Sequence, residues 1–236
     1  MKSEEKLLSR AECAALRGLA IWAIVLHNYC HWLGLAVKEN EYQFLAVNNE
    51  GLWRVITHPD ANIFVHLFSY FGHYGVPVFL FLSGFGLVMK YETAEAMAAA
   101  RQDRWAWWSF LRTHYLKLFR MMIAGFVLFL LVDVMTPGAF RYHWDKVVAQ
   151  LLMYVNLLDH PDKVIWPGPY WFFGLMMQLY IVYRLLLYRT KTEFVVLLMI
   201  ACWMLQMFCD PFGETLNRLR YNCIGGMLPF GAGIVM

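Results

Sequence analysis

The stretch LRGLAIWAIVLHNYCHW, residues 16–32, places an arginine near the start of an apolar helix and two histidines, His27 and His31, beyond its middle. Nine uncharged residues, almost all of them apolar, separate Arg17 from His27. Because moving an imidazole or a guanidinium from water into a bilayer costs several kcal/mol, a chain keeps such groups there where they pair or function. The stretch therefore predicts a transmembrane helix that carries part of a functional site.

The composition is typical of a membrane protein. Of 236 residues, 60% are hydrophobic and 16% are charged, whereas soluble domains carry about 25% charged residues. The charges are missing in blocks that are long enough to cross a bilayer. The five cysteines lie in or beside apolar stretches, without the spacing of a disulfide framework or a zinc site. We therefore predict an all-α, polytopic transmembrane helix bundle that forms a single membrane-embedded domain over residues 1–236.

Six apolar segments are candidates for membrane spans. They are residues 16–37, 63–89, 121–135 with a backward extension through 116–119, 170–188, 194–209 and 221–236. Residues 147–158 are apolar but too few to cross, so we expect them to dip into the membrane and return, or to lie at its surface. The basic, tryptophan-rich residues 105–120 predict an interfacial helix that leads into the third span. Because the last apolar run stops at Met236 without a flanking charge or a cap, we expect the chain to be C-terminally incomplete.

Lysine and arginine residues cluster before the first span and after the second. The two clusters are Lys2, Lys6, Arg10 and Arg17, and Lys90, Arg101, Arg104, Arg112, Lys117 and Arg120. Since positively charged segments remain on the cytoplasmic side, we expect an integral protein of the inner or plasma membrane with a cytoplasmic N-terminus. The lipid bilayer is one expected partner, and we expect no nucleic-acid partner.

Arg17 and His27 are the first candidate pair of functional residues. Ten helical steps place their side chains about 80° apart and about 15 Å along the axis. In a purely structural interpretation, Arg17 reaches the cytoplasmic headgroups and His27 is a hydrogen-bonded residue of the bundle. His27 and His31 also have the i, i+4 spacing of zinc ligands, but we find no evident acidic or cysteine partner and expect no metal.

The second apolar segment combines a bend with a polar group. Gly75 and Pro77 interrupt the helix that follows His73, so that freed backbone groups must find partners inside the protein. Small residues, beginning with Ser83 and Gly84, allow another helix or a ligand to approach the backbone closely. The segment therefore predicts close helix packing, and it is also a plausible pocket wall.

Two more stretches carry polar side chains beside or within the membrane. Lys117 and Arg120 share a helix face and, together with Arg112, could hold a phosphorylated cofactor. Anchoring by basic residues and an aromatic belt explains most of that region equally well. Trp171, Gln178 and Tyr180 are the polar-tipped residues of the segment 170–188, and Gln178 lies deep enough to require a partner inside the bundle.

Four blocks, in this order, resemble the membrane acyltransferase 3 family, whose members O-acylate sugars, peptidoglycan, lipids and other acceptors. They are LRGLAIWAIVLH (16–27), GVPVFLFLSGFGL (75–87), YLKLFRMM (115–122) and PYWFFGLMMQLYIVYRLL (169–186). The second block is specific, and the others are weak alone. The resemblance covers essentially the whole chain and implies that an acyl group, commonly acetyl, passes from acyl-CoA to a hydroxyl of a glycan or lipid-linked acceptor.

The sequence departs from the family pattern in two respects. Members usually place ten residues between the arginine and the histidine, and this chain has nine. A local bulge in the helix could restore the alignment, the pair could tolerate the offset, or His31 could share the role. The family also has roughly ten spans, and this chain offers about six.

The resemblance implies a role for each matching residue. His27 would act as general base on the acceptor hydroxyl, or receive the acyl group itself. Arg17 would hold an oxygen of the donor or stabilise developing negative charge. Lys117 and Arg120 would bind the phosphates of CoA. The alternative class is a proton-coupled transporter or permease in which Arg17, His27 and His73 form a proton or anion path.

Overall fold

The computed structural model describes residues 8–34, 36–40, 45–136, 142–165, 167–211 and 213–236. Within these ranges the chain is helical and forms no strand, which confirms the predicted all-α helix bundle. The α-helices are α1 Arg10–Trp32, α2 Ala46–Thr57, α3 Ile63–Phe71, α4 Gly75–Tyr91, α5 Ala94–Gln102, α6 Ala106–Met135, α7 Trp144–Leu151, α8 Trp171–Val182, α9 Thr192–Met207, α10 Glu214–Arg220 and α11 Cys223–Val235.

Four helical segments in the described part of the chain are long and apolar enough to cross a membrane. They are Arg10–His31, Ile63–Tyr91, Ala106–Met135 and Gly168–Leu187. The other two predicted spans correspond to shorter apolar helices, α9 with 16 residues and α11 with 13. The first span ends at Trp32 rather than at the predicted residue 37, because Gly34 adopts a φ of +69° that leaves the helix.

The third span begins at Ala106, ten residues before the start of its predicted extension at Leu116. The basic stretch 105–120 is not a separate interfacial helix, since it forms the first half of the continuous 30-residue helix α6. No glycine or proline interrupts residues 106–124, so nothing in the sequence ends the helix there. Every fourth residue of α6 is buried, from Phe110 through His114, Leu118 and Met122 to Phe126, and this stripe faces the core.

The segment between α6 and α8 enters the bundle and returns. His114 contacts Tyr180, and further along α6 Phe126 contacts Tyr170, so α6 and α8 are antiparallel. The end of α6 and the start of α8 therefore lie at the same face. Between them, the eight-residue helix α7 is too short to span, and the side chain of Gln150 reaches the carbonyl of Tyr170, with an Nε2–O distance of 3.3 Å.

The pair α1 and α3–α4 defines the two faces of the bundle. A 3₁₀ turn, Gly72–Tyr74, joins α3 to α4, and the joined segment runs antiparallel to α1. Gly75 packs against the middle of α1, where a Cβ atom would lie 2.5 Å from the carbonyl oxygen of Ala20. We call the face at which α1 begins the near face, and the face at which α1 ends the far face.

Candidate active site

His27 lies inside the protein and does not face lipid. Its residue exposure is 9%, and its Nδ1 atom lies 2.8 Å from the carbonyl oxygen of Ser69 on α3. A carbonyl oxygen can only accept, so Nδ1 carries the proton in this hydrogen bond and Nε2 of the neutral ring keeps its lone pair. The tautomer of His27 is thereby fixed by a backbone group of a neighbouring helix.

His27 belongs to a row of three imidazoles near the far face. The ring centroids of His27 and His31 are 4.4 Å apart, and those of His27 and His73 are 5.6 Å apart. His31 Nε2 in turn lies 2.6 Å from a carboxylate oxygen of Glu39. The row therefore ends in an acidic side chain on one side and in His73 on the other.

His73 lines a cavity of about 620 Å³ at the far face, whereas His27 and His31 lie behind it and are not part of the lining. The cavity is also lined by Pro77 of α4, Trp171 of α8 and Tyr221, which precedes α11. Trp171 and Tyr221 pack edge to face with ring centroids 4.9 Å apart, and their aromatic surfaces form part of the wall. A cavity of this size accommodates a small molecule or a sugar unit.

Arg17 also turns into the bundle and does not extend to the headgroups. Its Nη2 atom donates to the carbonyl oxygen of Leu82 on α4, at a distance of 3.0 Å. Tyr180 of α8 lies within electrostatic reach of this guanidinium and next to the hydroxyl of Ser83. Arg17, Ser83 and Tyr180 therefore form a polar group at a contact of three helices.

Arg17 and His27 are separate parts of the site. α1 is a regular α-helix throughout Arg10–Trp32, so the interpretation in which a bulge realigns the two side chains is wrong. Both residues nevertheless reach the α3–α4 segment, Arg17 through Leu82 and His27 through Ser69. The two side chains therefore contact the same helical segment, Ile63–Tyr91, at positions 13 residues apart along it.

A second cavity, of about 460 Å³, lies at the near face. It is covered by alanines of α5 and contains two cationic residues in its lining, Lys90 and Arg184. The guanidinium of Arg184 lies 4.3 Å from the ring centroid of Tyr188, and the hydroxyl of Tyr183 donates to Glu92 at 2.9 Å. Both cavities thus have a cationic side chain in their lining, Lys90 and Arg184 in the near one and Arg220 in the far one, and the far one also contains an imidazole, that of His73.

The predicted basic residues of α6 lie elsewhere. The side chains of Arg112, Lys117 and Arg120 are exposed. None of the three lines the near-face or the far-face cavity in the part of the chain that the structure describes. They alternate with the buried stripe of α6, and helical geometry directs them away from the face that carries it.

The comparison with known families agrees with this arrangement. The sequence model of a family described as an acyltransferase domain matches residues 12–236, almost the whole chain. The chain belongs to the acyltransferase 3 family. No curated protein and no solved structure matches it. Family membership and the four membrane-length helices together make the protein a membrane acyltransferase.

In this acyltransferase, the remaining predicted site residues have distinct surroundings. Ser83 donates to the carbonyl oxygen of Phe79 in its own helix at 2.7 Å while lying beside Tyr180. Trp171 lines the far-face cavity. Gln178 has a hydrogen-bond partner inside the bundle, as its depth in the span led us to expect. Its Oε1 atom accepts from the backbone N–H of Cys223 at 3.0 Å. That N–H belongs to the first turn of α11, where helical donors lack partners within the helix.

Gln178→Leu is therefore expected to weaken the acyltransferase structurally. The substitution leaves the Cys223 N–H without its acceptor, which should lower the free energy of unfolding by about 1–3 kcal/mol. Thermal unfolding of the detergent-solubilised protein measures the loss, and Gln102→Leu at the exposed end of α5 is the control. A Gln178→Leu protein of unchanged stability that has lost acyl transfer would instead place Gln178 in the substrate site.

The structure adds residues to the acyltransferase site that the sequence did not single out. Ser69 orients His27, and Glu39 contacts His31. His114 is buried on α6, with its ring centroid 4.5 Å from that of Tyr180. Of these residues, only Glu39 could have been suspected from the sequence. It is an acidic residue eight positions after His31, and so short a connection keeps it near the end of the same helix. We found no acidic partner for the His27–His31 pair in the sequence, and folding supplies one.

Proposed function

We propose that this acyltransferase moves an acyl group, acetyl in the first instance, from acyl-CoA to a hydroxyl of a carbohydrate or envelope glycan. The donor enters from the near face, which the distribution of lysine and arginine assigns to the cytoplasm, and the acceptor binds in the far-face cavity. The observation that carries the proposal is the hydrogen bond from His27 to Ser69, which leaves Nε2 able to accept a proton.

The transfer requires a proton acceptor next to the reacting carbonyl carbon. His27 Nε2 accepts the proton of the acceptor hydroxyl while its oxygen forms a bond to the thioester carbonyl carbon. The carbon–sulfur bond then breaks, and the proton passes to the departing CoA thiolate. In the relay form, the lone pair of His27 Nε2 first attacks the thioester carbonyl carbon, and CoA leaves as the thiolate. The acceptor oxygen then takes the acyl group, His27 Nε2 regains its lone pair, and the proton of the acceptor hydroxyl passes to the CoA thiolate. Both forms place the reacting carbonyl at His27.

The polar group of Arg17, Ser83 and Tyr180 lies between the two cavities. On α4, Ser83 falls between Leu80 of the far-face cavity and Tyr91 of the near-face cavity. On α8, Tyr180 falls between Leu175 and Tyr183, which line the same two cavities. This position suits groups that guide the thioester arm of the donor, and Arg17 supplies a positive charge for an oxygen of that arm rather than for the reacting carbonyl, since ten helical steps separate it from His27 by about 15 Å.

The test is a membrane assay with labelled acetyl-CoA and a mixture of hydroxyl-bearing acceptors. Acceptor-dependent release of CoA, with label recovered on a glycan or lipid-linked product, supports the proposal. The row of three imidazoles also favours a second candidate, a proton-coupled transporter that uses Arg17, His27 and His73. Proton flux in vesicles without acyl-CoA, together with no CoA release, would favour transport.

The binding site for the donor's phosphates can be located by substituting two pairs of basic residues in turn. We expect Lys90→Ala combined with Arg184→Ala to raise the KM for acetyl-CoA roughly tenfold to a hundredfold, because hydrogen bonds to charged groups contribute about 1.5–3 kcal/mol. Lys117→Ala combined with Arg120→Ala is the matched pair, and it tests the prediction from sequence. A KM increase confined to this second pair would place the phosphates on the outer side of α6 and contradict binding in the near-face cavity.

A further inference from the structure

We propose that His27, His31 and Glu39 form a binding site for a divalent transition-metal ion of the zinc type at the far end of α1. One possible ligand atom from each of these residues lies within 4.8 Å of the others. The side chains of His31 and Glu39 are 35% and 12% exposed, and His27 is buried, so the cluster lies at the boundary between the protein interior and its surface.

The donor set selects the class of ion. Two imidazoles and one carboxylate match the three protein ligands of zinc sites that keep one position open. Magnesium and calcium prefer sites built from oxygen atoms alone, whereas imidazole suits zinc, copper, iron and nickel. His27 and His31 are four residues apart on a helix, so they project from the same side of α1.

The hydrogen bond of His27 prepares it for a metal as well as for proton transfer. Metal-binding histidines commonly donate their second ring N–H to a backbone carbonyl or a carboxylate, which fixes the tautomer and the ring orientation. Ser69 provides such a carbonyl to Nδ1, at 2.8 Å. The second nitrogen of His27 is therefore the free ligand atom.

Glu39 is held near the histidines by the segment that carries it. The backbone N–H of Val37 donates to His66, and the carbonyl oxygen of Val37 accepts from Ser69 Oγ at 3.0 Å, so α3 fixes this segment. Asn48 of α2 donates to the carbonyl oxygen of Glu39 at 2.8 Å. These three hydrogen bonds thus position Glu39 through the backbone and leave its carboxylate oxygens available to bind an ion.

The distances permit an ion after small side-chain rotations. Zinc lies about 2.0–2.2 Å from nitrogen and oxygen ligands, so tetrahedral ligand atoms are about 3.4 Å apart. The contact between His31 and Glu39 measures 2.6 Å and would lengthen as the ion enters between the two atoms. The remaining separations, all within 4.8 Å, would shorten by at most about 1.4 Å to reach that value.

Metal binding has a consequence that rests on the proposed function. If His27 Nε2 is the proton acceptor, an ion on that atom removes its lone pair, so Zn²⁺ should inhibit acyl transfer and a chelator should restore it. Binding itself does not depend on this consequence. A site that binds Zn²⁺ without changing transfer would support the metal site and count against His27 as the base.

The test measures binding to the full chain in detergent after treatment with a chelator. Zn²⁺ is titrated by calorimetry, and Co²⁺ is followed by the visible absorption that reports its coordination. We expect one ion per chain, and we expect His31→Ala and Glu39→Gln each to weaken binding by more than about tenfold. His58→Ala and Glu50→Gln, at exposed positions of the neighbouring α2 region, serve as matched controls.

The outcomes separate a specific site from general surface binding. Equal affinity in all four variants and the unaltered protein, or no binding at all, would overturn the proposal. Gel filtration and thermal unfolding identify a variant that fails to fold. Glu39→Gln preserves the size of the side chain, so it provides the decisive comparison if His31→Ala is unstable.

Discussion

His27→Ala is expected to abolish measurable acyl transfer while the protein still inserts into the membrane and folds. A general base contributes about 10²- to 10⁴-fold to a rate, and the truncated side chain has no proton acceptor. The free energy of unfolding should fall only modestly, because the substitution removes one side-chain hydrogen bond, to Ser69, and such a bond contributes about 1 kcal/mol net. Single-turnover transfer from labelled acetyl-CoA measures the chemical step.

The experiment on His27 needs a control for histidine loss as such. His58→Ala removes an exposed imidazole beyond the end of α2, and this variant should transfer acyl groups at the original rate. Comparable expression and thermal unfolding of both variants show that each is folded. Normal acylation by His27→Ala would remove His27 from the mechanism and leave His31 or His73 as the remaining imidazoles of the row.

Gly84→Val is expected to prevent correct assembly of α4 with α11. A Cβ atom at Gly84 would lie 2.1 Å from the carbonyl oxygen of Phe230, and one at Gly233 would lie 2.0 Å from that of Phe81. The two backbones are therefore in direct contact, as in membrane helix pairs that pack through small residues. Overpacking usually costs about 1–3 kcal/mol, and we expect a larger loss here because backbone atoms cannot move aside.

Thermal unfolding and gel filtration of the detergent-solubilised protein measure the effect of Gly84→Val. The matched control is Gly18→Ala in α1, where a Cβ atom meets nothing within 4 Å. Because glycine inside a helix costs up to about 1 kcal/mol relative to alanine, the control should be as stable as the original protein or slightly more stable. An unfolding temperature of Gly84→Val equal to that of the control would contradict the close contact of α4 and α11.

The sequence predicted that the small residues within 83–86 form a packing surface. In the structure, the two glycines of this block face different groups. Gly84 contacts the backbone of α11, whereas a Cβ atom at Gly86 would lie 3.2 Å from Nη2 of Arg17. One glycine thus permits two helices to meet, and the other leaves room for the guanidinium. The spacing of small residues indicated close approach but not the identity of the approaching group, because that depends on which helices become neighbours.

The sequence alone determined the fold class and the approximate positions of the membrane-crossing segments, and it singled out Arg17 and His27 as candidate site residues. Runs of apolar residues fix these features locally, since backbone groups in a bilayer must be satisfied within helices and polar groups at that depth need partners. Helix continuity was harder to predict. The charges of residues 105–120 suggested a surface helix, yet the absence of glycine and proline allowed α6 to continue through them.

Only the tertiary structure decided which polar groups lie together. It joined His31 to Glu39 through the turn after α1, and it paired His27 with the carbonyl of Ser69 and Arg17 with that of Leu82. It also placed Lys90 and Arg184 in the lining of the near-face cavity, to which Lys117 and Arg120 do not contribute. Residue spacing describes one helix at a time, whereas these contacts depend on how antiparallel helices align, which is set by packing along their whole length.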